Sequence, residues 1–167
     1  VALPAPLAAF DCRNHRLAWL GLAQDGFDAA VAAARARVGA RRIAVVAGTS
    51  TSGILTTELG YRARTAGALP PSVRFAETHN FSALARFLRA ALALEGPAAS
   101  ISTACSSSAK VFATAQRWLA AGLCDAAVVA GVDSLCGTTL YGFHSLQLVS
   151  RAPCRPFDAG RDGLSLG

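Results

Sequence analysis

The chain has 167 residues, of which 53% are hydrophobic and 16% charged, with a mean hydropathy of +0.39. That length suits one domain and hardly two, and the composition is too apolar for a disordered segment, so a globular α/β or α protein is expected. The net charge of +6 comes from scattered arginines, without the interleaved aromatics or the motif of a nucleic-acid surface.

The arginines form three groups: Arg35, Arg37, Arg41 and Arg42; Arg62 and Arg64; Arg151, Arg155 and Arg161. Solvated helix faces account for them, and a surface for an acidic protein partner is the functional reading. No window holds the roughly 18 uncharged apolar residues of a membrane span, and VALPAPLAAFDCRNHR lacks a basic leader region; a soluble, cytoplasmic protein is expected. The five cysteines, Cys12, Cys105, Cys124, Cys136 and Cys154, are odd in number and contain no CxxC pair, so neither a zinc site nor a disulfide framework is expected.

Residues 15 to 38 carry Leu17, Leu20, Ala23, Phe27, Ala30, Val31 and Ala34 at helical spacing, with Gly26 placed to divide two helices. RRIAVVAGT at 41 to 49 has the pattern of a buried strand entering a turn, and Gly48 and Gly53 then suggest loop flexibility. NFSALARFLRAALAL at 80 to 94 predicts a helix with Asn80 or Ser82 as N-cap and Gly96-Pro97 as its stop, followed by the short apolar PAASIST.

Beyond Cys105, a helical period places Val111, Phe112, Ala115, Trp118 and Leu119 on one face, with Gly122 fit for the C-terminal cap. AAVVAGV at 126 to 132 again suggests a buried strand. Strand, helix and strand within about 35 residues is a crossover unit, which requires a mainly parallel sheet with helices packed against it. The fold class is α/β.

This order puts Cys105 at a tight turn from strand to helix, where the first backbone N–H groups of the helix lack intrahelical partners. Those amides favour a thiolate and can hold an oxyanion developing on a thioester carbonyl, while Ala104, Ser106 and Ser107 leave room for a substrate. A second reading stands beside it: a small apolar cysteine packed beneath a helix start. Thr103, Ser106, Ser107 and Ser108 fit N-caps better than a phosphate site, because no glycine-rich nucleotide loop is present. Cys124, Cys136 and Cys154 lack such a context and are read as buried or incidental thiols.

STACSSS, AAGLCDAAVVAGVDSLC and PCRPFDAGRDGLSLG, in that order over residues 98 to 167, closely resemble the active-site half of β-ketoacyl-ACP synthases, the condensing enzymes of the thiolase fold. Similarity is weaker from 40 to 97. The resemblance implies a layered α/β/α architecture with a mixed, mainly parallel sheet, the chain (1–167) holding the N-terminal one of two pseudo-repeated halves and being incomplete at both ends. It also implies that Cys105 takes an acyl group as a thioester, followed by decarboxylative Claisen condensation with malonyl-ACP in fatty acid, polyketide or polyene biosynthesis. Acyl groups would arrive on the phosphopantetheine of an acyl carrier protein, with no resident cofactor and no metal.

In this family two further residues, usually histidines on later motifs, assist the condensation, and neither motif is present. His15, His79 and His144 stand outside HGT and GHxxG settings and are read as ordinary polar or core residues. Phe143, in YGFHS, matches a phenylalanine beside the acyl cysteine and its substrate channel; a core aromatic is the alternative. Asp158, Arg161 and Asp162 are read as loop structure, shaped by Pro156 and Gly163 with charges pairing across the loop.

The resemblance further implies a homodimer or a synthase heterodimer whose basic surface docks the carrier protein, with no nucleic-acid or membrane partner. DSLC and TTLYGFHSLQLVS lean toward an aryl-polyene or secondary fatty-acid synthase. A non-catalytic partner subunit of the chain-length-factor type is the alternative, and retention of Cys105 argues against it. A thiolase or starter-condensing relative is weaker still, given CRPFD and RDG.

Overall fold

A computed structural model describes residues 1–166. Two short helices, α1 (Arg13–Leu22) and α2 (Phe27–Val38), are separated at Gly26, whose φ of 69° is left-handed and open to glycine without steric cost. The strand β1 (Ile43–Gly48) follows and is buried at every residue. Then come α3 (Ile54–Arg62), a π-turn at Phe75–His79, α4 (Ser82–Ala91), β2 (Ala98–Ile101), α5 (Ser107–Ala120), β3 (Ala126–Gly131) and α6 (Gly137–Ser145).

The described strands form one parallel sheet in the order β2-β1-β3, with Val45 opposite Ala98 and Val128, and Gly48 opposite Ile101 and Gly131. The β2-α5-β3 crossover therefore passes over the central strand. Alternation along β1 divides the core into two. Ile43, Val45 and Ala47 pack with Leu84, Phe87 and Leu88 of α4 and with Ala18 and Leu22 of α1. Val46 points the other way, against Val111 and Ala115 of α5. Helices on both faces of a sheet make the expected α/β/α layering.

Several local expectations are modified. α5 turns Val111 and Ala115 to the sheet and leaves Phe112 and Leu119 exposed. Phe112 lies about 100° around the helix from Val111, and three strands are too few to cover that flank. β3 begins where expected and ends one residue earlier, at Gly131; it is only half-buried, because it is an edge strand with β1 on one side. α4 stops at Ala91, ahead of Gly96-Pro97: Ala93 adopts a φ of 50°, so that Leu92 and Leu94 fold back into the core.

Gly48 and Gly53 serve close packing instead of flexibility. A Cβ on Gly53 would meet the Thr78 carbonyl oxygen at 1.8 Å, and one on Gly48 would lie 2.8 Å from the backbone of Ser107. Two helices, α3 and α6, had no clear periodicity. Glu58 joins them: its carboxylate accepts hydrogen bonds from the N–H groups of Gly137 (2.8 Å) and Thr138 (2.6 Å) and from the Thr138 hydroxyl, capping α6 from a distant part of the chain.

The arginine groups lie at the surface, Arg35 and Arg42 half-buried, and several are paired there. Arg42 forks onto Asp125 and also donates to the Gly122 carbonyl, Arg41 pairs with Glu95, and Arg35 donates to the Leu92 carbonyl. In the 155–162 loop Arg155 pairs with Asp158 and donates to the Gly160 carbonyl, whereas Arg161 bonds the Asp158 carbonyl and Asp162 accepts from the Ser150 hydroxyl. Among the described residues no helix is long and apolar enough to cross a membrane.

Candidate active site

Three parallel strands end on one side of the molecule, and the turns leaving them build the site. At the end of β2 the chain turns through Thr103, Ala104 and Cys105 into α5. Ala104 has a φ of 55°, a left-handed conformation that costs a non-glycine residue about 1–3 kcal/mol. Hydrogen bonds hold it there. The Ala104 carbonyl accepts from Ser107 N–H (3.0 Å), the Ser107 hydroxyl (2.7 Å) and the Ser50 hydroxyl (3.1 Å). Thr103 N–H donates to the Ser107 oxygen, and the Ser106 hydroxyl donates to the Thr103 carbonyl.

These serines do not cap the helix as their positions suggest. Their hydroxyls are consumed in bracing the turn, and no side chain caps the start of α5. The strained turn lifts Cys105 out of the core: it is exposed, as is Cys154, while Cys12, Cys124 and Cys136 are buried. A cysteine packed beneath the helix start is thus not what the fold contains.

α5 approaches the sheet this closely because glycines end β1 and β3. A Cβ at Gly131 would stand 2.6 Å from Ser108 Cβ, and Gly48 meets the Ser107 backbone. Cys105 lies between two hollows. One, of about 280 Å³, is lined by Ser50, Thr51, Ala104, Asp133, Thr139 and Phe143 among others; the second, of about 180 Å³, lies toward Gly48, Ser108 and Gly131. Phe143, from α6, and Cys105, from the α5 turn, thus face one cavity although 38 positions separate them in sequence. Leu166 borders that cavity and a neighbouring one of about 480 Å³ lined by Leu140, Tyr141 and His144.

Asp133 was not singled out from sequence. One oxygen, Oδ1, accepts from the Thr49 hydroxyl (2.9 Å), Ser50 N–H (2.7 Å), Thr51 N–H (2.8 Å) and the Thr51 hydroxyl (3.0 Å). The available signal was an acidic residue just past a β3-type strand, at the carboxyl edge of a parallel sheet where sites form.

The histidines are elsewhere. His15 is fully buried, stacked on Phe87 with ring centroids 4.8 Å apart, and its Nδ1 bonds the Phe10 carbonyl at 2.7 Å. Burial holds it below the ordinary histidine value, partly opposed by the Phe10 bond. His79 bonds the Thr57 hydroxyl and stacks on Phe75, and His144 lines the 480 Å³ cavity. Among the described residues no group of three or more His, Cys, Asp or Glu side chains is placed to hold a metal ion.

Comparison with known proteins bears on the fold and the family. The chain is 37% identical over 82 residues to a 3-oxoacyl-[acyl-carrier-protein] synthase 2 of Rhizobium meliloti (strain 1021), a stretch covering 44% of this chain and 20% of that protein. It is 39% identical over 75 residues to the spectinabilin polyketide synthase system protein NorA' of Streptomyces orinoci, covering 44% of this chain and 2% of that one. Among solved structures, the ketosynthase ApeO in complex with its chain length factor ApeC from Xenorhabdus doucetiae superposes with a TM-score of 0.85 at 37% identity over 98% of this chain. The ishigamide ketosynthase/chain length factor shares the fold, with a TM-score of 0.80 at 20% identity over 98% of this chain. The chain spans 41% and 40% of those two solved chains. The family described as Beta-ketoacyl synthase, N-terminal domain, matches residues 14–167, and the chain belongs to it.

Proposed function

We propose that the chain carries the acyl-accepting half of a 3-oxoacyl-ACP synthase, with Cys105 as nucleophile. One observation carries this reading: Cys105 is exposed on a strained, fully braced turn and shares a cavity with Phe143. In the first step the Cys105 sulfur attacks the carbonyl of an acyl thioester. A new C–S bond forms, the carrier's C–S bond breaks, and the carrier thiol leaves with a proton. Uncapped amides at the start of α5 favour the negative charge that develops near this turn.

In the second step malonyl-ACP loses carbon dioxide, and its carbanion attacks the Cys105 thioester. A C–C bond forms, the C–S bond to Cys105 breaks, and the departing thiolate takes a proton from water to restore the thiol. Phe143 borders the acyl group. Substrates arrive on the phosphopantetheine of an acyl carrier protein, with no resident cofactor. His15, His79 and His144 take no part, because one is buried, one is bonded to Thr57 and one lines a separate cavity. The residues that assist decarboxylation belong to a second pseudo-repeated half, which covers the exposed apolar surface of α5 and α6.

The assembled enzyme is a cytoplasmic homodimer or heterodimer, in a fatty-acid, polyketide or aryl-polyene pathway. A second reading, a non-catalytic chain-length-factor-like partner, is favoured by the two ketosynthase and chain length factor complexes among the structural neighbours. Retention of Cys105 in a site built to present it supports catalysis. Mass spectrometry of the full polypeptide carrying these residues, incubated with labelled acyl-ACP and malonyl-ACP, tests both. Acylation of Cys105, lost in Cys105→Ala, and a β-ketoacyl product are expected; acylation surviving the substitution overturns the assignment, and no acylation favours the partner subunit.

A further inference from the structure

We propose that Asp133 is a positioning residue that fixes the Ala104–Cys105 peptide through the hydroxyl of Ser50. The proposal rests on the reading of Cys105 as the reacting thiol. The loop leaving β1 has no regular structure, yet Asp133 Oδ1 gathers four of its donors from Thr49, Ser50 and Thr51. The two threonine hydroxyls pass the order on: Thr49 accepts from Ser52 N–H at 2.9 Å, and Thr51 accepts from Ser134 N–H at 3.1 Å. Ser52 itself has a φ of 43° and is fully buried, so the loop has one narrow conformation.

Ser50 is the member of this loop that reaches the nucleophile's turn. Its backbone N–H is held by Asp133 at 2.7 Å, and its hydroxyl donates to the Ala104 carbonyl at 3.1 Å. That carbonyl belongs to the same planar peptide as the Cys105 N–H, so fixing the oxygen fixes the direction of the N–H. Ser107 holds the carbonyl from the helix side and Ser50 from the β1 side. The peptide is thereby clamped between two elements, and Asp133 anchors one arm of the clamp. Asp133 also lines both hollows beside Cys105.

The test is alkylation of the full polypeptide carrying these residues with iodoacetamide, read peptide by peptide in a mass spectrometer. Cys154, exposed and distant in sequence, is the internal reference. Ser50→Ala and Asp133→Ala should each lower the ratio of Cys105 to Cys154 alkylation by about fivefold, the scale of one net hydrogen bond. Ser50→Thr and Asp133→Asn, which keep a hydroxyl and an Oδ1 acceptor, should stay within about twofold of the parent. Because both residues act through one link, the double alanine variant should be no slower than the slower single variant.

Multiplying effects in the double variant, or an unchanged ratio in Ser50→Ala, would overturn the proposal. Ser50→Ala removes only one hydroxyl, so it remains informative if Asp133→Ala does not fold. Alkylation uses no acyl donor. A parent protein that never acylates would therefore refute the condensing role while leaving this coupling to be read independently.

Discussion

Gly131 and Ser108 meet where β3 ends and α5 begins, so closely that a Cβ at position 131 would lie 2.6 Å from that of Ser108. The contact sets how near the first turn of α5 comes to the sheet, and so where Cys105 stands. Gly131→Ala should cost about 1–3 kcal/mol of stability through overpacking. Thermal unfolding measures that loss, and Cys105 alkylation at a temperature where the variant is folded should change with it. A variant matching the parent in both would show that α5 can yield without cost.

Glu58 gives a pH dependence at the acid end. Partial burial raises its carboxyl, but bonds from the Thr138 side chain and from the Thr138 and Gly137 amides outweigh that and leave it below its ordinary value of 4.5. A lowered carboxylate contributes stability in full above 4.5 and loses it as pH falls through the folded value. The melting temperature of Glu58→Gln should accordingly lie below the parent's at pH 7 and converge on it as pH falls below 4.5. A constant gap between the two curves would contradict the clamp on α6.

His15 acts in a higher window. Its Nδ1 faces a carbonyl and must carry the proton, leaving Nε2 buried without a partner. Burial lowers its folded value beneath 6.5, so the unfolded chain binds a proton that the folded chain refuses. Stability should therefore decline as pH drops below 6.5 and level off once the lowered value is passed. Urea unfolding from pH 7.5 to 5 should show this slope in the parent and its loss in His15→Phe.

Phe143 borders the cavity at Cys105 from the opposite element. If Phe143→Ala deepens it, each further methylene buried is worth about 0.8 kcal/mol, or about fourfold in preference. Competition between acyl thioesters of different length should shift Cys105 loading toward longer chains. Cys105 alkylation by a small reagent should stay unchanged, which separates a change in the channel from a change in the thiol.

Burial of the two strand ends explains how much was readable. β1 is apolar throughout because helices cover both faces, and such a run is legible without knowing its neighbours. The turn at Asn80 that leads into α4 and the Gly122 helix end were equally legible, since each is a local rule: Asn80 Oδ1 accepts from Ser82 N–H at 2.8 Å, and Gly122 has a φ of 69°. α3 and α6 were not. Each leans on a distant partner, with Glu58 capping α6 across 79 positions, and amphipathic spacing carries no trace of that.

For the site, sequence alone determined that a lone cysteine stands at a strand-to-helix turn and that its flanking blocks resemble a condensing enzyme. It also supplied Phe143, by resemblance. Only the tertiary structure decided that Cys105 is exposed, that Phe143 meets it in one cavity, and that Asp133 anchors the loop beside it. The reason is distance along the chain: Asp133 and Ser50 lie 83 residues apart, and a hydrogen bond between them exists only once β1 and β3 have paired.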